Sequence, residues 1–212
     1  MNRPPRFGRA AALLALVGFT LGPVYDSIHT YSGATWYPAP QLLRNVWWCP
    51  PLFAAAAVAI GMPRLLQDTR IYRDPRPPGN RALAGAFGIF TAAYLASGWL
   101  PVHWATLTVL ITVAFLVSAV AFDSLPRALP GALGAALGGW FVEWNLTRNG
   151  LFGHRDQQLG TVAAWIPPLY ACASVAVGAL ARRLAFAPTT ARTEQPSRSA
   201  EPAPASEALT SG

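Results

Sequence analysis

The sequence predicts an all-α fold, a polytopic membrane protein built as a bundle of six transmembrane helices, on three observations. The first is composition. Of 212 residues, 53% are hydrophobic and 12% charged, about half the charge of an ordinary soluble domain, and the mean hydropathy is +0.32. The second is the recurrence of apolar stretches of about 20 residues, the length that crosses a bilayer as a helix. The third is the placement of the basic residues. All sixteen are Arg; they gather at the ends of the apolar stretches and do not form the aromatic-interleaved stripe of a nucleic-acid surface, so no nucleic-acid partner is expected.

The first span runs from about Ala10 to Tyr25, after Arg3, Arg6 and Arg9. A basic start before an apolar stretch also suits a signal peptide. No small-x-small cleavage site ahead of a soluble domain follows, and Pro23, Val24 and Tyr25 continue the apolar run, so it is read as a span. The second span covers about Val46 to Leu66 and the third about Ala82 to Trp99, separated by a polar loop from Asp68 to Arg81 whose Pro75, Pro77, Pro78 and Gly79 stop a helix. A tight turn at Pro101 leads into the fourth, about Trp104 to Phe122; the fifth covers about Leu129 to Leu146 and the sixth about Val162 to Leu180. Residues 1–9 form the N-terminus and residues 10–185 one membrane domain. Residues 186–212, rich in Pro, Ser, Thr, Ala and Glu, form a tail expected to be disordered.

Six spans put thirteen Arg on the side of the termini and three (Arg44, Arg148, Arg155) on the other. The positive-inside rule then places both termini in the cytosol.

Two segments nearly repeat. Trp48-Cys-Pro-Pro-Leu-Phe-Ala opens the second span, Trp165-Ile-Pro-Pro-Leu-Tyr-Ala opens the sixth, and the match extends to Gly61 against Gly178. Proline has no N–H and a preset φ, which suits the first turn of a helix. A Trp ahead of it suits headgroup depth. The motif is either a good helix start or the frame of a shared pocket or packing surface. The copies run parallel, unlike an inverted transporter repeat. In the fifth span Gly134-x-x-x-Gly138 permits close helix approach, within the bundle or between subunits of a homo-oligomer.

Few polar groups carry chemistry. Glu143 lies about a turn inside the outer end of the fifth span, where it can snorkel or pair with Arg148. His29, His103 and His154 fall in outer loops or turns with no H-x-x-x-H or C-x-x-C pattern, so no metal is expected, and nothing points to a cofactor. Cys49 and Cys172 lie at different depths, which disfavours a disulfide. No nucleophile elbow, zincin motif, P-loop or dinucleotide motif occurs. The chain is read as no enzyme, with a membrane enzyme using Glu143 and His154, or a small carrier, as alternatives. Asp123 ends the fourth helix, where a carboxylate opposes the helix dipole. Either Arg127 and capping of the fifth helix compensate it, or it is a partner-binding carboxylate.

These features resemble the Insig family, six-span proteins of the endoplasmic reticulum that take part in sterol sensing. Trp47-Trp48-Cys49-Pro50-Pro51 resembles the family's Trp-Trp-x-Pro-Pro. Phe122-Asp123, Asn149-Gly150 and Trp165-x-Pro167 with Gly178 and Arg182-x-Leu184-Ala185 resemble its later motifs at matching spacing. The lysine-free, Ala- and Arg-rich composition suggests a bacterial homologue. The resemblance implies binding of a lipid or sterol (an oxysterol or a diacylglycerol-like lipid) within the bundle and a role in cholesterol homeostasis. It also implies a polytopic membrane partner of the Scap or sterol-sensing reductase kind. By that resemblance Phe90, Thr106, Trp48 and Trp165 are the lipid-binding residues and Asp123 the partner-binding one; Thr106 stands where the family has an amide-bearing residue. The compartment implied is the plasma membrane for a bacterium and the reticulum for a eukaryote.

Overall fold

The computed structural model describes residues 5–73 and 76–186. Six long helices follow in order: α1 Phe7–Ser32, α2 Cys49–Leu66, α3 Asn80–Trp99, α4 Trp104–Phe122, α5 Leu125–Arg148 and α6 Ile166–Phe186. Among the described residues, all but α5 are apolar and long enough to cross a membrane by length and composition. At 24 residues, α5 spans about 36 Å; its glycines, Glu143 and Asn145 lower its hydropathy. The chain is an integral membrane protein. The tail expected to be disordered lies, beyond Phe186, outside the described residues.

The fourth span falls where the sequence places it. The first does not stop at Tyr25, because the polar residues that follow keep the helix going. Asp26, Ser27, His29 and Thr30 are all buried. Ser27 Oγ donates back to the Pro23 carbonyl (2.6 Å), and His29 Nε2 meets Ser97 Oγ on α3 at 2.8 Å. The helix ends only at Gly33, whose left-handed φ of 73° turns its N–H onto the His29 carbonyl. Likewise α2 does not stop at Leu66 but continues in a wider π turn, Gln67–Ile71, so the expected polar loop begins as helix.

At the centre stands α6, with 67% of its apolar stretch buried against 22–28% for α1 to α4; it touches every other helix. Lipid tails are as apolar as leucine, so helix association in a membrane depends on close packing of small residues. The buried face of α6 supplies them: Ala173, Ala176, Gly178, Ala179 and Ala181. The near-repeat takes part in this. A Cβ on Gly61 would lie 2.6 Å from Leu14 of α1 and 3.4 Å from Ala181 of α6, and one on Gly178 would lie 3.1 Å from the Arg64 side chain of α2. The two matched glycines thus face one shared α2–α6 packing surface.

The Gly-x-x-x-Gly pair that joins helices is on α1. A Cβ on Gly18 would lie 2.3 Å from the Phe53 carbonyl oxygen of α2, and one on Gly22 would lie 2.2 Å from the Phe53 side chain. Gly134 and Gly138 of α5, expected to pack, have nothing within 4 Å of a built Cβ.

Contacts at each end confirm the alternation of helix direction. At the Arg-rich end, ion pairs join the ends of α2, α4 and α6. At the opposite end, β1 (Thr35–Trp36) pairs antiparallel with β2 (Gly153–His154), tying the α1–α2 loop to the α5–α6 loop. Gly153 leaves room for the Trp36 ring, which a Cβ there would meet at 2.3 Å.

Two substitutions of the same kind should therefore behave oppositely. Gly18→Leu meets a backbone atom and should cost about 1–3 kcal/mol or more through overpacking. Gly134→Leu projects into open space and removes a helix-interior glycine worth about 1 kcal/mol of propensity. Thermal melts in detergent check this; equal melting temperatures would contradict the assigned packing.

Candidate functional site

At the Arg-rich end two arginines and two aspartates are buried together. Arg64 Nη2 donates to Asp123, and Arg182 Nη1 donates to Asp68. The cross pairs are longer, 3.8 Å for Arg64–Asp68 and 3.7 Å for Arg182–Asp123. Each charge has an opposite partner, which is what allows ions to be buried here. Space for Arg64 comes from two glycines: a Cβ on Gly131 of α5 would lie 2.1 Å from its Cδ, and Gly178 flanks its other side. Arg64 also donates to the Arg127 carbonyl, to which Gln67 Nε2 donates at 2.9 Å. Pro130 has no N–H to offer the Pro126 carbonyl one turn back, and Tyr72 donates its hydroxyl there instead, at 3.1 Å. These bonds clamp α2 to the start of α5. Asp123 is thus compensated from α2 and α6 and not by capping: Ser124 caps α5 with no side-chain hydrogen bond.

Beyond the clamp, α2 and α5 diverge around a cleft of about 800 Å³, within the range of small-molecule sites. One wall is Ala55, Ala56, Ala59 and Pro63 of α2. The other is Gly131, Gly134, Ala135 and Gly138 of α5, and Tyr170 of α6 also lines it. The Tyr170 ring fits against Gly139, where a Cβ would come within 2.4 Å of it. A smaller cavity of about 120 Å³ lies among α1, α2, α3 and α6 and shares Asp26, Phe53, Ile60, Glu143 and Tyr170 with the larger.

The opposite end of the cleft is polar. Asp26 Oδ2 accepts from the Tyr37 hydroxyl at 2.9 Å and from the Cys49 thiol at 3.7 Å. Burial, then the Asp26 charge, pushes the Tyr37 hydroxyl well above its ordinary range, so it remains a donor. Glu143 Oε2 lies 2.8 Å from His154 Nε2, at ion-pair distance but without hydrogen-bond alignment. Arg148, the expected partner of Glu143, instead lies over the Trp144 ring. His154 is fully buried and not a solvated loop residue, and His29 is a buried helix residue stacked on Tyr94 at 4.6 Å. The periodicity of α1 carried no sign of Asp26 because the apolar run ends before it; only the fold turns that carboxylate inward.

The residues singled out from the resemblance are dispersed. Phe90 lines the smaller cavity beside Tyr25 and Tyr94. Trp48 is half-buried, edge-on to Tyr37 at 5.5 Å. Trp165 is wholly buried between His29 and His154, with no exposure at headgroup depth. Thr106 is exposed on α4 and lines neither cavity. None of the four lines the larger cleft. Glu143 and His154 do meet, but His154 lies off both cavity walls.

A six-helix bundle clamped at one end and split by a lateral apolar cleft defines a polytopic helical membrane protein. Among solved structures it is similar to the mycobacterial Insig homolog MvINS from Mycobacterium vanbaalenii, with TM-score 0.72 and 22% identity over 84% of this chain and 94% of that one. A cross-linked trimer of MvINS is similar at TM-score 0.74 and 22% identity, over 87% and 98%. The fold is that of a bacterial Insig homologue, as the resemblance implied. No family model matches the chain, and no curated protein does.

Asp123→Asn leaves the two buried arginines facing one carboxylate and should cost about 3–5 kcal/mol. The double variant Arg64→Met/Asp123→Asn removes one charge of each sign and keeps Arg182 with Asp68. It should melt closer to the wild type than Asp123→Asn alone; strictly additive losses would disprove the coupling.

Proposed function

We propose that this chain is a non-enzymatic membrane protein that holds a lipid or sterol in the cleft between α2 and α5. The observation that carries the reading is the cleft itself: about 800 Å³, walled by small and apolar side chains, inside a membrane-embedded bundle. Its small walls leave room for a hydrocarbon body, and burial of apolar surface against Phe53, Ile60 and Val142 supplies the attraction. The fold likeness to an Insig homolog supports an oxysterol or a diacylglycerol-like lipid as the ligand, and a regulatory role in which a polytopic partner reads the filled state. Such a partner would have to bind the filled and empty arrangements with different affinity.

Phe90 enters this proposal as a contact from the smaller, adjoining cavity, whereas Trp48 and Trp165 hold the loops around it. Asp123 serves the bundle first, and a partner engaging it competes with Arg64 and Arg182. The Arg asymmetry favours cytosolic termini, in a bacterial plasma membrane. The trimer of MvINS supports a homo-oligomer. The Glu143–His154 pair supports Glu143 in place; with His154 off the cavity, it gives no acid–base couple to a bound molecule.

Gly134→Leu and Gly138→Leu project into the cleft from positions where an added Cβ has no atom within 4 Å. Native mass spectrometry of the detergent-purified protein with added oxysterol or diacylglycerol should show saturable adducts for the wild type. Both variants should lose them with no loss of melting temperature. Adducts that survive both substitutions would place the ligand elsewhere.

A further inference from the structure

The two ends of the bundle treat their exposed arginines differently. At the end that carries β1 and β2, each has a partner within the chain: Arg44 lies over the Tyr31 ring, Arg148 over Trp144, and Arg155 beside Asp156 at 3.6 Å. At the Arg-rich end, Arg70, Arg73, Arg76 and Arg81 follow α2 in one short run, and all are exposed. Arg70, Arg73 and Arg81 make no hydrogen bond or ion pair among the described residues. The acids of this end are already spent: Asp68 and the Asp123 side chain are buried against Arg182 and Arg64. Asp74 lies outside the described residues. Among the described residues, the exposed charge at this end is therefore all positive.

The arginines stand on a structured base. Gln67 and Tyr72 donate to carbonyls at the start of α5, and Asp68 is held by Arg182 of α6. Further on, Arg183 of α6 donates to Asn80 Oδ1 at 2.8 Å and reaches the Pro78 carbonyl at 3.4 Å. Both ends of the run are thus tied to the bundle, while Arg70 and Arg73 point away from it. Between them Ile71 is 72% exposed. The π turn that carries Arg70 and Ile71 directly continues a membrane span, which puts them at headgroup depth. An apolar side chain between guanidinium groups suits that depth: the one enters the acyl boundary, the others meet phosphate.

We propose that this segment is a docking surface for anionic phospholipids in the leaflet on the Arg-rich side. Arg70 and Arg73 bind the phosphates, Arg81 at the start of α3 adds a further contact, and Ile71 sets the depth. Clustered Arg immediately beyond a span attracts acidic headgroups in this way. The three arginines line neither cavity, so the surface is independent of the lipid-binding cleft. An anionic leaflet held here keeps the end of α2, and the α2–α5 clamp beside it, at the membrane surface.

The test titrates the full chain in detergent with dioleoyl phosphatidylglycerol and dioleoyl phosphatidylcholine, read by native mass spectrometry. The first phosphatidylglycerol should bind at least about fivefold more tightly than phosphatidylcholine, the contribution of one Arg near an anionic surface. The preference should weaken as salt is raised. Arg70→Gln/Arg73→Gln/Arg81→Gln should abolish it at unchanged melting temperature. Arg44→Gln/Arg148→Gln/Arg155→Gln lowers the net charge equally and should keep it. Equal binding of both lipids by the wild type, or a preference that survives the first triple variant, would overturn the proposal. Equal loss in both triple variants would trace the preference to net charge and overturn it too. So would displacement by millimolar inorganic phosphate at constant ionic strength, which would assign the arginines to a free anion. A preference lost in Gly138→Leu but kept in the first triple variant would put the anionic lipid in the cleft and also overturn it. Should the first triple variant fail to fold, the salt dependence of the wild type decides: a preference indifferent to salt overturns the surface.

Discussion

Everything about the cleft depends on one buried side chain, Arg64. It leaves α2, passes between Gly131 of α5 and Gly178 of α6, and meets Asp123 at the junction of α4 and α5. A guanidinium out of water needs opposite charge and acceptors, which Arg64 finds at Asp123 and the Arg127 carbonyl, so its position commits three helix ends at once. Asp68 and Arg182 complete the charge balance. The π turn at Gln67–Ile71 keeps Asp68 on helical backbone beside them, where an ordinary loop after Leu66 would have released it. With α2 and α5 joined at this end, their divergence toward the other end becomes a cleft and not a slack interface.

Small residues play two opposite parts in the bundle. On α1 and α6 they let backbones approach: Gly18 and Gly22 receive Phe53, and the alanines of α6 seat it at the centre. On α5 the same residue types do the reverse. Gly139 and Gly131 accommodate Tyr170 and Arg64, whereas Gly134 and Gly138 face nothing. A glycine stripe is a statement about the space a side chain would take, and the neighbour decides whether that space is filled.

The two ends of the cleft differ in kind. At the Arg-rich end positive and negative charges are paired with one another. At the opposite end carboxyls stand with hydroxyl, thiol and imidazole partners and no guanidinium in the wall. The β1–β2 pairing and the burial of Trp165 between His29 and His154 hold these loops, so the acids sit on a structured rim.

Much of the fold is legible in the sequence. Helix number, the bounds of α4, the proline-led starts of α2 and α6 and the asymmetry of arginines all follow from local rules: hydrophobic run length, the missing N–H of proline and the cost of burying charge. These rules act within one segment and survive without knowledge of neighbours. What they missed are residues whose burial is set by another helix. Asp26 and His29 read as the end of a span because they are polar, yet partners on other segments let α1 continue. His154 reads as an outer-loop residue, yet β-pairing and Glu143 bury it. Gly134 and Gly138 read as a packing motif, and only the divergence of α5 from α2 turns them toward open space. The sequence by itself determined a six-helix membrane protein, because hydropathy is a property of single segments. The cleft, its acidic end and the role of each glycine were decided by tertiary structure alone, because a cavity is a relation between helices and no single segment encodes it.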